Sequence, residues 1–281
     1  MTEKLETILT GLAKAYGFDL NAKPLEHEEY LQRKVNDFNN CKGNLNDVDG
    51  YNCDICKNKG LIAFVKDGYE TTRYCKCSSI RETLARARRS GLGDILKDFT
   101  FSKYNDTEEW QKKIKQKAIE FCNDDNARWF YIGGQVGCGK TFICTAIAGQ
   151  LIKQGKNVKY MLWCEESKRL KSLLTETEEY QNEINKYKNA EVLYIDDFLK
   201  VRNGEAPTNG DINLAFEIIN NRLLDKSKIT IISSEKTLKE IMEYDEATMS
   251  RIYEIAGKYR INISKDPNKN YRLRGFENGD I

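Results

Sequence analysis

The chain has 281 residues, 40% of them hydrophobic, and its 45 Lys+Arg against 43 Asp+Glu leave a formal net charge of +2. That length suits one large domain beside a smaller one, and near-neutrality excludes a global polyelectrolyte field, so any affinity for nucleic acid must come from local patches. No apolar run approaches the ~18 residues of a membrane helix, and the charged start Met1-Thr-Glu-Lys-Leu-Glu6 has no apolar leader core; a cytoplasmic protein without membrane association is expected.

Leu5, Ile8, Leu9, Leu12 and Ala15 recur at helical spacing and predict an amphipathic helix, able to dock a partner or to pack on the unit that follows. His27, the lone histidine, reads as a surface or helix residue. The nine cysteines are placed unevenly, with Cys41, Cys53, Cys56, Cys75 and Cys77 all within the first 80 residues. An odd count without a leader argues against a disulfide framework and for reduced thiols, some of them metal ligands.

Cys53-Asp-Ile-Cys56 and Cys75-Lys-Cys77 are a C-x2-C and a C-x-C separated by 18 residues. Tetrahedral Zn²⁺ takes four thiolates at about 2.3 Å, and two short cysteine turns facing each other supply them. Leu61–Val65 and Tyr69–Tyr74 read as strands around Lys66-Asp-Gly68, a hairpin that brings the two pairs together. Such a unit is too small to bury a core, so the metal would contribute folding free energy of order 10 kcal/mol. Cys41 lies twelve residues upstream and falls outside the expected ligand set.

Arg81-Glu-Thr-Leu-Ala-Arg86-Ala-Arg88-Arg89 predicts a basic helix, and Ser90-Gly91-Leu-Gly93 after it marks a boundary. The expected organisation is a zinc unit over 1–80, a basic linker over 81–104 and a larger domain over 105–281.

In that domain Trp110, Ile114, Ala118 and Phe121 share one helical face. Trp129-Phe-Tyr-Ile132 reads as a buried strand, followed by Gly134-Gln135-Val136-Gly137-Cys138-Gly139-Lys140-Thr141 and a helix running from Thr141 through Phe142 to Lys153. The loop fits G-x-x-x-x-G-K-[ST]. Its glycines let backbone N–H groups turn toward a polyphosphate at a helix N-terminus, Lys140 reaches the outer phosphates, and the Thr141 hydroxyl can ligate Mg²⁺. Asn157–Trp163 is a second strand. Glu191-Val-Leu-Tyr-Ile-Asp196-Asp197-Phe198 is a third, delivering two carboxylates at its C-terminal edge, 55 positions after Thr141. Asp196 would hold the Mg²⁺ and Asp197 would polarise the attacking water. A helix over Leu214–Leu224, a strand Ile229–Ser234, helical segments near Thr237–Tyr244 and Ala247–Ala256, and a last strand Tyr259–Ile263 complete an alternating series. Apolar strands alternating with helices predict a doubly wound parallel sheet.

Together the glycine loop, Leu193-Tyr-Ile-Asp-Asp-Phe198, Phe216-Glu-Ile-Ile-Asn-Asn-Arg222 and Thr230-Ile-Ile-Ser-Ser234 resemble the AAA+ ATPases of the DnaC/DnaI helicase-loader group, and the related transposition ATPases of the IstB type. The cysteine module resembles the zinc domain of DnaI-like and phage loaders and is not expected in the IstB type. The resemblance spans roughly residues 40 to 264. It implies an α/β fold: a P-loop AAA+-type ATPase domain without the helical lid, plus the small N-terminal zinc-binding domain. It further implies slow hydrolysis of ATP to ADP stimulated by single-stranded DNA, self-oligomerisation, and delivery of a replicative hexameric helicase bound through the N-terminal domain.

By the same resemblance Arg251, or failing that Arg260, would act on the nucleotide of a neighbouring subunit. Lys168, Arg169, Lys171 and Ser172 would lie along single-stranded DNA. Two positions depart from the family pattern. Asp197 stands where most members have Glu, and Glu235 stands where a polar sensor of the γ-phosphate is usual, leaving Ser233 or Ser234 to substitute. An IstB-like transposition ATPase and a zinc-stabilised nucleotide switch with negligible turnover are the alternative functions.

Overall fold

The structure, a computed structural model, describes residues 2–17, 26–201 and 205–273. It divides into two compact units, Met1–Arg81 and Glu82–Ile281. Among the described residues no helix is long and apolar enough to cross a membrane.

The smaller unit holds helices α1 (Thr2–Tyr16), α2 (His27–Asn40) and α3 (Leu45–Asp49), then an antiparallel hairpin of β1 (Leu61–Lys66) and β2 (Tyr69–Tyr74). Helix α1 forms as its periodicity predicts, with Ile8 and Leu12 exposed; the side chains of Leu5 and Leu9 lie outside the described residues. Helix α2 lays Leu31 and Val35 inward, and its Asn39 side chain brackets Ala63 of β1 with two 2.9 Å hydrogen bonds. Helix α4 (Cys77–Arg89) starts at the last cysteine of the module.

The larger unit runs α5 (Ile95–Asp98), α6 (Glu109–Asn123), β3 (Trp129–Gly134), α7 (Lys140–Lys153), β4 (Val158–Leu162), α8 (Trp163–Ser172), α9 (Thr177–Lys188), β5 (Val192–Asp196), α10 (Asn209–Leu224), β6 (Ile229–Ser234), α11 (Leu238–Met242), α12 (Glu246–Ala256) and β7 (Arg260–Ile263). The five strands are parallel in the order β4-β5-β6-β3-β7. Strand alternation feeds two cores. Trp129, Tyr131, Leu193, Ile195 and Ile232 pack with α8–α12, whereas Phe130, Ile132, Tyr194 and Ile231 pack with α6 and α7. Both faces are covered, which is why these strands are apolar throughout and not alternating. Every strand therefore ends at the same edge of the sheet, where the glycine loop and the Asp196-Asp197 pair emerge.

Two boundaries differ from expectation. Trp163 opens α8 and does not end β4. Helix α10 begins at Asn209, not Leu214, because Thr208 and Asp211 form a capping box in which each side chain meets the other's backbone N–H. Beyond β7 the described residues hold a 3₁₀ turn, Pro267–Lys269.

Arg222 is fully buried on α10. Its guanidinium donates to Thr230 Oγ1 at 3.0 Å and to the carbonyls of Tyr187, Lys188, Ala190 and Ile229, tying α9 and the starts of β5 and β6 to one cation. Burial pushes its pKa down to about 10, so it stays charged at neutral pH. Arg222→Ala is expected to destabilise this unit by roughly 3–5 kcal/mol, because it strands several buried carbonyls at once. Chemical denaturation of the full chain measures this.

Candidate nucleotide site and cysteine cluster

The loop between β3 and α7 takes its shape from positions that only glycine can fill cheaply. Gly134 has φ 111° and a Cβ there would meet the Ile263 carbonyl oxygen at 2.0 Å; Gly139, the residue before α7, has φ 90°. The loop curls around Lys140, which is 6% exposed and donates to the carbonyls of Gly134 at 2.9 Å and Gln135 at 2.6 Å. No carboxylate pairs with this ammonium among the described residues, and burial is the main cause of its lowered pKa. A buried lysine folded onto its own loop, at a helix N-terminus, is charge waiting for an anion.

Opposite the loop, Asp196 ends β5 at 4% exposure. It accepts from Thr141 Oγ1 at 3.1 Å, from Tyr160 Oη at 3.3 Å and from Ser233 Oγ. Burial raises its pKa most, and the Ser233 and Thr141 hydroxyls oppose that shift. The Thr141 hydroxyl and the Asp196 carboxylate are two hard oxygen donors side by side, a donor set that fits Mg²⁺.

A cavity of about 380 Å³ opens here, lined by Phe99, Val136, Gly137, Gly139, Lys140, Thr141, Phe142, Asp197, Lys200, Glu235 and Arg272. Phe99 stacks on Phe142 with centroids 4.6 Å apart, giving the cavity an aromatic wall beside its charged one. Cys138 is buried and donates its thiol to the Gln135 carbonyl at 2.9 Å, bracing the loop from within.

The remaining expected residues fall out differently. Ser234 does not line the cavity; its hydroxyl donates to the Phe198 carbonyl at 2.9 Å, and it is Ser233 that reaches Asp196. Glu235 does line the cavity. Arg251 is not among the lining residues; its guanidinium donates to Ala247 O at 2.6 Å and lies 5.5 Å from the Phe216 ring centroid. Arg260 stacks on Tyr253. On α8, Arg169 pairs with Glu166 and Glu183 at 2.9 Å each, Lys171 pairs with Asp211 at 2.6 Å and Ser172 donates to Arg169 O, which leaves Lys168 as the cation of that group with its head in solvent. Sequence reasoning missed Tyr160, Lys200 and Arg272. A polar residue in the second strand was the one available signal for Tyr160.

In the smaller unit Cys53, Cys56, Cys75 and Cys77 are all buried, with their sulfurs within 4.8 Å of one another. Cys53 Sγ and Cys75 Sγ are 3.8 Å apart, and Cys56 Sγ and Cys77 Sγ are 3.5 Å apart. A tetrahedron with 2.3 Å metal–sulfur bonds has edges of about 3.8 Å, so the cluster fits Zn²⁺. Backbone at positive φ, Asn58 at 66° and Gly60 at 78°, turns the first knuckle and aims the Gly60 N–H at Cys56 Sγ, 3.3 Å away. Arg81 closes the unit by bonding the Asp49 carboxylate, Tyr51 O and Asn58 Oδ1. Cys41 is exposed and outside the cluster, and His27 lies at the start of α2, away from it in sequence and not among its members.

Among known proteins, residues 76–252 match the family described as IstB-like ATP binding protein. Over 241 residues the chain is 28% identical to the phage-like element PBSX protein XkdC of Bacillus subtilis (strain 168), an alignment covering 82% of this chain and 89% of that protein. The crystal structure of the DnaC helicase loader is similar with a TM-score of 0.52 at 19% identity, covering 62% of this chain and 100% of that one. A putative primosome component from Streptococcus pyogenes serotype M3 is similar at 0.50 and 17% identity, covering 65% and 95% respectively. At such identities the solved structures show a shared fold.

Proposed function

Because the chain belongs to the family of IstB-like ATP binding proteins, we propose that it is an ATP-dependent loader of a replicative hexameric helicase, holding the helicase through its N-terminal unit and delivering it to single-stranded DNA. The observation that carries the reading is the pairing of a complete phosphate loop and Asp196-Asp197 edge with a four-cysteine unit lying outside the matched family region for its first three ligands. The shared fold with a helicase loader supports it.

In this reading the loop N–H groups and Lys140 hold the polyphosphate, and Asp197 takes the proton of the attacking water. Thr141 and Asp196 would hold Mg²⁺, which offsets charge on the phosphoryl oxygens. Asp197 is one methylene shorter than Glu and its carboxylate is held at 2.9 Å by Lys200, so turnover is slow until that contact is released. Arg251, which does not line its own cavity, serves a neighbouring copy's, which makes hydrolysis depend on assembly. Zn²⁺ on the four cysteines would shape the unit that meets the helicase.

The full chain should capture a replicative helicase from solution, and a chain lacking residues 1–80 should not. Undiminished capture by the shortened chain would overturn the placement of the partner site. Oligomers on duplex DNA without helicase capture would instead favour a transposition ATPase, which the family description also fits. Arg251→Ala is expected to lower DNA-stimulated hydrolysis about 10³-fold with nucleotide binding retained; wild-type turnover in that variant would remove Arg251 from the reaction.

A further inference from the structure

The cavity carries a cation that the phosphate-loop pattern does not call for. Lys200 Nζ lies 2.9 Å from Asp197 Oδ2 and 2.8 Å from Glu235 Oε1, bridging carboxylates from the ends of β5 and β6. Its position is built into the backbone. Asp197 and Leu199 adopt φ of 55° and 56°, curling the chain so that the Lys200 N–H returns to Asp197 O at 3.0 Å. The curl is fixed to β6 by Phe198 N donating to Ser233 O at 2.8 Å and by Ser234 Oγ donating to Phe198 O. Phe198 and Leu199 are each 1% exposed and anchor it in the core.

The cavity therefore has two charged walls. The loop wall, with its backbone N–H groups and Lys140, addresses what ADP and ATP share. The sheet wall presents Asp197, Glu235 and Lys200, and this wall must accept the additional phosphate of ATP. Glu235 alone would repel it. Lys200 beside it cancels that carboxylate and can exchange one anionic partner for another without leaving the site.

We propose that Lys200 reads the γ-phosphate: its ammonium holds Asp197 and Glu235 together when only ADP or no nucleotide is present, and turns to the third phosphate of ATP, freeing Asp197. The inference rests on the nucleotide reading of the site. It makes Lys200 and Glu235 a matched pair, an acid in place of the usual polar sensor with its own counter-ion.

The test is titration of the full chain with fluorescent ADP and with a fluorescent non-hydrolysable ATP analogue, both with Mg²⁺. Lys200→Met is expected to lower the ATP-to-ADP affinity ratio at least about tenfold, as loss of one charge contact of about 1.4 kcal/mol would. The ADP constant should stay within about threefold, as the loop wall it shares with ATP is untouched. In Lys200→Met/Glu235→Gln the ratio should recover at least about fivefold, because the uncancelled carboxylate is gone. An equal loss for both nucleotides would mean that Lys200 is structural, and a double variant no better than the single one would remove the matched pair; either overturns the proposal. A wild-type chain that binds neither nucleotide overturns it together with the nucleotide reading, an outcome distinct from the other two.

Discussion

Lys140→Ala should abolish ATP hydrolysis and weaken nucleotide binding by at least about 100-fold, while leaving the fold intact. Two or more charge-assisted hydrogen bonds to phosphate are lost, each worth roughly 1.5–3 kcal/mol, and about 2.7 kcal/mol is a factor of 100. The effect on stability has the opposite sign. Lys140 is buried, its partners are the two carbonyls of Gly134 and Gln135, and burial lowers its pKa, so in nucleotide-free protein this cation is one that folding disfavours. A group whose folded pKa is depressed in this way costs stability at neutral pH, where it is charged. The variant should therefore melt no lower than the wild type without nucleotide, and lose the rise in melting temperature that saturating ATP confers. Calorimetric titration and a thermal melt with and without ATP separate these. A melt that drops sharply without ligand would show that the lysine supports the loop and does not wait for an anion.

How much of this was legible in the sequence follows from the range of the interactions. Strand β3, the glycine loop and α7 announce themselves because the phosphate loop is one continuous segment whose spacing is its chemistry. The cysteine module is equally plain, since C-x2-C and C-x-C are local turns joined by a hairpin. Helix α10 begins earlier than its apolar periodicity suggests, although Thr208-x-x-Asp211 is itself a capping signature. The choice between Ser233 and Ser234 was also readable. Strand alternation puts Ser233 on the face of Ile231, which packs toward α7, and Ser234 on the face of Ile232, which packs toward α10. Asp196 shares the face of Tyr194 for the same reason, so Ser233 and Asp196 had to meet.

Lys200 was not legible, because its role depends on two residues of positive φ in the preceding turn and on an acid 35 positions downstream, and no periodicity carries either. The α8 cations show the converse. Read along the chain, Arg169 and Lys171 are a basic helix face, but Glu183 and Asp211 that neutralise them arrive from α9 and α10.

Removing metal from the smaller unit should unfold it outright and leave the larger unit able to bind nucleotide. The reason is the composition of its interior. The core cluster of this unit is the four cysteines themselves, with Tyr51 and Ile62 partly buried against them. Beyond these, among the described residues, Ala13, Leu31, Val35 and Ala63 are the buried apolar side chains before Arg81, far too little area to offset chain entropy. Zinc binding of order 10 kcal/mol is then most of what keeps β1, β2 and the knuckles in place. A strong chelator, or Cys53→Ser with Cys56→Ser, should expose the hairpin to protease and release about one zinc per chain. Helicase capture should be lost with it, whereas ATP affinity changes less than about twofold, since Lys140, Thr141 and Asp196 belong to a unit with two full cores of its own. A chain that holds less than one zinc, or a hairpin that stays protected after chelation, would mean that the sulfurs are packed as small hydrophobes and that the unit's stability comes from contacts such as Arg81 with Asp49. Because the two losses are tied to one metal and the nucleotide site is not, the experiment also assigns helicase binding to the cysteine unit or frees it from that assignment.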